Sequence, residues 1–216
     1  MNGQGGTVSV LKTRLREEIR RRTDALSCET VRRSGEGIAE ALFNSELWMK
    51  AESVFLYVSV RKEPDTGALL AAAFGEGKKV YVPKCLPASC DSPRRMLAVR
   101  IRSEEDLVPG PFGIPEPRAC LPDPDDPEGS LPAEALDLIL VPCVAASAHG
   151  IRLGHGGGYY DRFLADLPYT EKRAGGLFPA TVCLCHEALL TEDIPATELD
   201  VRMDFVVTAE GIRDCR

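Results

Sequence analysis

The stretch Ser53-Val-Phe-Leu-Tyr-Val-Ser-Val-Arg-Lys-Glu-Pro-Asp-Thr-Gly-Ala-Leu-Leu-Ala-Ala-Ala-Phe-Gly-Glu-Gly-Lys-Lys-Val-Tyr-Val82 decides the fold. It opens with a nearly continuous β-branched and aromatic run, Ser53–Val60, which reads as a buried parallel strand. Arg61–Thr66 is the loop after it, and Thr66 or Asp65 can cap a helix over Gly67–Phe74. Gly75 and Gly77 stop that helix, and Lys79–Val82 is the next strand, ended by Pro83. Strand, helix and strand in this order form a βαβ unit with a right-handed crossover.

Outward toward the amino end, Val10, Leu11, Leu15 and Ile19 recur at helical spacing among charges and predict a helix from about Val8 to Arg22. Ser27 is a candidate N-cap for a second helix to about Met49, with Ile38, Leu42, Leu47 and Trp48 inward. Toward the carboxyl end, Met96–Ile101 reads as a strand and Ser103–Leu107 as a short helix. Residues 109–132 hold eight prolines and the acidic run Asp123-Pro-Asp-Asp-Pro-Glu128, and 118–134 read as a long surface loop. Asp137-Leu-Ile-Leu-Val141 is the clearest buried strand. Tyr159–Leu167 reads as a helix with Phe163, Leu164 and Leu167 on one side, and Ala174–Phe178 and Phe205–Thr208 as short final strands. The alternation predicts an α/β fold: a three-layer αβα sandwich with a mostly parallel, Rossmann-like sheet, as one domain over 1–216.

With 44% hydrophobic and 27% charged residues, a chain of 216 residues can bury a core without disulfides or a structural metal. The net charge of −7 argues against a nucleic-acid binder. The basic residues near the start (Lys12, Arg14, Arg16, Arg20, Arg21, Arg22, Arg32 and Arg33) read as a solvated helix face, with one or two able to reach a phosphate. No apolar run approaches the roughly 20 residues of a membrane span. No charged segment precedes an apolar stretch at the start, so no signal peptide is expected and the expected location is cytoplasmic. None of the eight cysteines forms a Cys-x2-Cys pair. Cys183-x-Cys185-His186 is the one cluster, and it reads as a buried strand of small thiols rather than a metal site.

Gly154-His-Gly-Gly-Gly158 lies between a buried strand and a helix, where ligands of open α/β sheets gather. Glycines there let the backbone approach a ligand, and successive N–H groups at a helix start can hold an anion. No Gly-Lys-Ser/Thr follows, so this is not a P-loop. The third glycine of a dinucleotide fingerprint would fall at Tyr159. The glycines alone fit a tight structural loop equally well. Arg152 before them and Asp161 after them favour phosphate: a guanidinium can grip it with two hydrogen bonds, and an acid beside it suits Mg²⁺.

The segment Pro142-Cys-Val-Ala-Ala-Ser-Ala-His-Gly-Ile-Arg-Leu-Gly-His-Gly-Gly-Gly-Tyr-Tyr-Asp-Arg-Phe-Leu164 resembles the signature of the 5-formyltetrahydrofolate cyclo-ligase family, also called 5,10-methenyltetrahydrofolate synthetase. Leu11-Lys-Thr-Arg-Leu-Arg16, Val58-Ser-Val-Arg-Lys-Glu63 with Pro64-Asp-Thr66, Gly113-Ile-Pro-Glu-Pro117 and Leu199-Asp-Val-Arg-Met-Asp204 resemble further pieces in the same order. The resemblance implies an architecture related to sugar-phosphate isomerases and CoA-transferases. It also implies ring closure of a reduced folate, with ATP as co-substrate and Mg²⁺ as cofactor. By position, Lys12, Arg16, Arg152, Leu153, Gly154, His155, Gly156, Gly157, Gly158, Tyr159 and Tyr160 would bind ATP. Val58, Glu63, His155, Gly156, Gly157, Gly158 and Tyr159 would bind the folate. Asp161 and Asp204 would hold Mg²⁺, and Arg152, Tyr159 and Glu63 would carry catalysis. Lys12, Arg16, Glu63 and Asp204 also admit plainer roles as solvated or bridging charges. A monomer is expected, with a dimer as the alternative, and neither nucleic acid nor a membrane as partner.

The chain departs from the family pattern at Cys143 (usually Gly), Ala146-Ser147 (Phe-Asp), Ile151 (Asn) and Thr181 (Gln). The Phe and Gln positions adjoin the expected pocket, so weakened folate binding is one expectation. A nucleotide-binding relative that has lost catalysis is therefore the competing reading. A sugar-phosphate isomerase or CoA-transferase relative is the third.

Overall fold

The computed structural model describes residues 3–86, 88, 94–110, 113–118, 136–167 and 179–216, with side chains from Gly6 onward. Helices α1 (Gly3–Ala25), α2 (Cys28–Phe43) and α3 (Glu46–Lys50) come first. Ser27 caps α2 by accepting the Thr30 N–H at 3.0 Å. The single helix expected from there to Met49 is broken, because Asn44 ends α2 and Ser45 caps α3 by accepting the Trp48 N–H.

The βαβ unit follows as β1 (Ser53–Leu56), α4 (Gly67–Gly75) and β2 (Lys79–Leu86). β1 is shorter than the run that announced it. The Thr66 hydroxyl donates back to Tyr57 O at 2.8 Å instead of capping α4, and Asp65 Oδ1 accepts the Gly67 N–H at 2.9 Å. Pro83 does not end β2. β1 pairs with β2 only as far as Tyr81, so a missing N–H beyond it is tolerated, and β2 continues antiparallel to β3 (Arg95–Ile101). A 3-10 turn at Glu104–Asp106 stands where a short helix was expected. The proline-rich segment then holds an unforeseen ladder, β4 (Leu107–Pro109) against β5 (Pro115–Pro117). Beyond Arg118, the loop expected over 118–134 lies outside the described residues.

β6 (Leu138–Pro142), the hairpin β7 (Ala145–Ala146) and β8 (Arg152–Leu153), and α5 (Tyr159–Ala165) come next. The strand expected over Ala174–Phe178 lies outside the described residues, and the sheet is continued by β9 (Ala180–Leu184), which carries the buried thiol of Cys183. β10 (Phe205–Thr208) is as expected; β11 (Gly211–Asp214), antiparallel to it, was not foreseen.

The seven-stranded sheet runs β11-β10-β9-β6-β1-β2-β3. Its five inner strands are parallel, and both edges are antiparallel. Side chains alternate faces along each strand. Phe55, Tyr81, Ile139, Val141, Cys183 and Val206 face Ile19 of α1 and Leu164 of α5. Val54, Leu56, Val80, Leu138, Leu140 and Val207 face Ile38, Leu42, Trp48 and Leu69 of α2 to α4. Each such buried side chain stabilises by about 1.5–3 kcal/mol, so the sheet with a helical layer on each face is the predicted sandwich. At the amino ends of β1 and β6, Asp137 Oδ2 accepts the N–H groups of Glu52 and Ser53 and the Ser53 hydroxyl, all at 2.9 Å. No helix among the described residues is long and apolar enough to cross a membrane.

Candidate active site

The chain leaves β1 to build β2 and β3 on one side of it, then returns to place β6, β9 and β10 on the other. Connections diverge at such a reversal, leaving a crevice at the carboxyl ends of the two central strands. The loop after β1 carries Glu63, and the loop after β6, by way of the β7–β8 hairpin, carries Gly154–Gly158. They meet there: His155 Nε2 lies 3.3 Å from Glu63 Oε1. The other Glu63 oxygen accepts the Val60 N–H at 3.0 Å, and Val58 is half-buried at the base of that loop.

On the hairpin, Arg152 is only 4% exposed, and its Nη1 donates to Asp161 Oδ1 at 2.8 Å. Leu153 beside it is core. The glycine run turns into α5 through Gly158, whose φ of 65° belongs to the left-handed region. A Cβ there would stand 2.7 Å from Arg162 Nη1. Arg162 Nη2 in turn donates to Gly157 O at 2.8 Å, and its guanidinium lies over the half-buried Tyr159 ring. From α1, Arg16 Nε donates to Gly154 O at 2.8 Å, which brings its guanidinium against Gly156. Lys12, one turn earlier, pairs with Asp200.

The Tyr160 hydroxyl is buried and has no hydrogen-bond partner among the described residues. Burial pushes its pKa up, and Cys85 and Glu63 add to this while Arg152 opposes it. A buried hydroxyl without a partner is a place for a polar ligand atom.

Asp161 and Asp204 are not brought together. Asp161 Oδ1 accepts from Arg152 and, at 3.3 Å, from Val201 N. Asp204 Oδ2 accepts the Thr181 N–H at 2.8 Å and the Thr181 hydroxyl at 2.7 Å, at the amino ends of β9 and β10. The crevice is at the other ends of these strands, and from Thr181 to the end of β9 at Leu184 is about 10 Å, three rises of roughly 3.3 Å. The carboxylate brought near Asp161 is Asp200, which precedes the Val201 whose N–H reaches Asp161 and opens the Asp-x3-Asp piece that Asp204 closes. Burial raises the Asp200 pKa, but Lys12 and Thr197 more than reverse this and hold it below the usual range. Among the described residues, no three His, Cys, Asp or Glu side chains cluster as a metal group.

The departures from the family pattern also take definite places. Thr181 stands with Asp204 at the far end of the strands, not beside the crevice. Ala146 is fully buried and bridges to Leu190. Ser147 Oγ accepts the N–H groups of His149 and Ile151, so it shapes the hairpin turn. Of the other early basic residues, Arg22 donates to Ala188 O, Arg32 pairs with Glu29 and Glu36, and Arg14, Arg20 and Arg21 are exposed.

A sequence model of the 5-formyltetrahydrofolate cyclo-ligase family matches residues 8–209. The chain is 30% identical over 194 residues to the 5-formyltetrahydrofolate cyclo-ligase of Escherichia coli K12, covering 90% of this chain and 98% of that protein. It is 33% identical over 178 residues to the cyclo-ligase of Mycolicibacterium smegmatis, covering 80% and 82%. The solved 5,10-methenyltetrahydrofolate synthetase of Aquifex aeolicus superposes with a TM-score of 0.74 at 26% identity, covering 95% of this chain and 93% of that one. The synthetase structure from Mycoplasma pneumoniae, at 18% identity and a TM-score of 0.66 over 92% and 98% of the two chains, shares the fold. Matched by that family model over residues 8–209 and 30% identical to a curated member across nearly its whole length, the chain belongs to the 5-formyltetrahydrofolate cyclo-ligase family.

Proposed function

We propose that this protein converts 5-formyltetrahydrofolate to 5,10-methenyltetrahydrofolate, with ATP cleaved to ADP and phosphate. The observation that carries the reading is the meeting of Glu63 and the glycine loop across the crevice, with the contact at His155. One wall offers a carboxylate suited to ring N–H groups of a pterin. The other offers backbone N–H groups and Arg152 for phosphates.

The formyl oxygen is a poor leaving group. Its attack on the γ-phosphorus breaks the bond to ADP and gives an iminium phosphate. N10 of the folate then attacks the activated carbon, its proton is lost, and phosphate departs with the former formyl oxygen. Positioning and charge neutralisation supply most of the rate. Glu63 orients the folate, and Tyr159, Val58 and His155 line its side of the crevice. Arg152, Arg16 and Lys12 face the phosphates, together with the backbone from Leu153 to Tyr160. The Tyr160 hydroxyl is free to bond a ligand oxygen or nitrogen.

Mg²⁺ is a hard cation that takes carboxylate oxygens and water, and one or two carboxylates with substrate phosphates suffice. Asp161 and Asp200 fit this role, whereas Asp204 is bound to Thr181 at the far end of the sheet. Bound there with ATP, the ion would offset charge on the phosphate oxygens. Both carboxylates pair with cations that would face the phosphates, Asp161 with Arg152 and Asp200 with Lys12.

A relative without catalysis is not favoured, since Glu63, Arg152 and Asp161 are all present at one crevice. The test is purified protein with 5-formyltetrahydrofolate, ATP and Mg²⁺, followed by absorbance of the methenyl product. ATP binding without product would sink the reading.

A further inference from the structure

Glu63 reaches the crevice from a strained loop. Arg61, two residues before it, has a φ of 56°, the one positive value among the described non-glycine residues. A non-glycine side chain is disfavoured there and persists only where the surroundings enforce it. The backbone on both sides of Glu63 shows what enforces it. The Lys62 carbonyl lies 2.9 Å from His186 Nε2. The Pro64 carbonyl accepts the Tyr57 hydroxyl at 3.0 Å. Both side chains are buried, His186 2% and Tyr57 3% exposed.

A carbonyl oxygen can only accept, so His186 Nε2 carries the proton. Nδ1 is then the bare nitrogen, and it accepts the hydroxyl of buried Ser34 of α2 at 2.7 Å. The imidazole is fixed as one neutral tautomer, and burial lowers its pKa accordingly. The Lys62 ammonium adds an outer tie, donating to Asp24 O and Leu26 O, both at 2.8 Å, at the carboxyl end of α1. His186 thereby joins α2, the end of β9 and the Glu63 loop. It belongs to the Cys-x-Cys-His cluster, whose thiols are packing groups.

We infer that His186 and Tyr57 are positioning residues for the folate: by gripping the carbonyls of Lys62 and Pro64 they fix the Glu63 carboxylate at the mouth of the crevice. This rests on the assignment of Glu63 to the folate. Neither side chain has a hydrogen bond to the glycine loop, so its loss should act on one substrate and spare the other.

The test uses His186→Leu, His186→Gln and Tyr57→Phe in the full chain. Gln returns an N–H donor near the place of Nε2, and Phe removes one oxygen from a ring that stays buried. Expected is a rise of about tenfold in KM for 5-formyltetrahydrofolate in His186→Leu and Tyr57→Phe, the factor matching one hydrogen bond of ordinary net strength. KM for ATP should move less than about twofold, and His186→Gln should recover most of the folate affinity. Amide exchange at Glu63, whose N–H is bonded to Val60 O at 3.1 Å, should speed up by a similar factor in the two loss variants without any ligand. Equal rises in both KM values, or Glu63 exchange unchanged in folded Tyr57→Phe, would overturn the inference. A wild type that makes no methenyl product would sink the functional reading instead, and the exchange measurement would still decide whether the two carbonyls are clamped.

Discussion

Glu63 and Arg152 stand on opposite walls of one crevice, and each has a charged or polar neighbour: His155 for Glu63, Asp161 for Arg152. Truncating each should therefore separate the substrates. Glu63→Ala is expected to raise KM for the folate by roughly 10- to 100-fold with little change for ATP, the range for a hydrogen bond to a charged group. Arg152→Ala is expected to do the reverse. It should also cost stability, roughly 1–3 kcal/mol, because it leaves the partly buried Asp161 carboxylate without its ion-pair partner. Steady-state kinetics with each substrate varied, beside thermal melts, checks both; equal losses for the two substrates would refute the assignment. At this scale the sequence was legible wherever the motif is contiguous: Arg152, the glycines and Asp161 lie within ten residues. Asp200 and Asp204 were not separable by spacing alone. Which of two acids four apart faces the site depends on where β10 begins, and only the Thr181 partnership reveals that Asp204 belongs to the strand. Thr181 itself was misplaced for the same reason, since the start of β9 was not recognised.

The glycine loop is an element whose residues are not equivalent. Gly158 has a left-handed φ, and an added Cβ would press on Arg162, which holds Gly157 O. Gly154 has no atom within 4 Å of the place its Cβ would take. Gly158→Ala is thus expected to destabilise by about 1–3 kcal/mol and to weaken ATP binding, whereas Gly154→Ala should leave the melting temperature within the small range of surface substitutions. A calorimetric melt of both variants decides it. Strands and helices with strong periodicity, such as β6 and α2, were readable from pattern. β11 and the β4–β5 ladder were not, because short strands rich in glycine, proline or charge carry little periodic signal and are made by their partners. The extra length assigned to β1 reflects the reverse case: Tyr57, Val58 and Val60 support the Glu63 loop rather than extend the ladder, and Ser59 between them bonds Asp65 and Thr66 of that loop.

Across the whole molecule, paired carboxylates set the response to acid. Slight burial raises the pKa of Glu76, but hydrogen bonds from Trp48 and Lys78 outweigh it and bring the group below its ordinary 4.5. Hydrogen bonds from Arg216 take Asp214 down to about 2. A carboxyl depressed in the folded state releases its proton more readily there than in the unfolded chain. The stability it adds is present above its unfolded pKa and is lost as pH falls through the folded one. Stability should therefore decline from about pH 4.5 toward 2. Glu76→Gln should be the less stable protein at neutral pH, and its deficit should close over the upper part of that window. Fluorescence of Trp48, the single tryptophan, buried beside Glu76, follows the transition directly. A deficit independent of pH would contradict the assignment.

The Asp137 clasp has a consequence for synthesis. It joins the starts of β1 and β6 across 84 residues of sequence. Closing a loop of that length costs about 4 kcal/mol of chain entropy. On a ribosome adding roughly 5–20 residues per second, β1 waits about 4–17 seconds between its own emergence and that of its second neighbour. During that interval β2 covers one border of β1 and nothing from this chain covers the other. Val54, Phe55 and Leu56, later at the centre of the sheet, are for those seconds an open apolar border to which other nascent chains can add. A translation pause before Asp137 lengthens this hazard, and one after Pro142 does not.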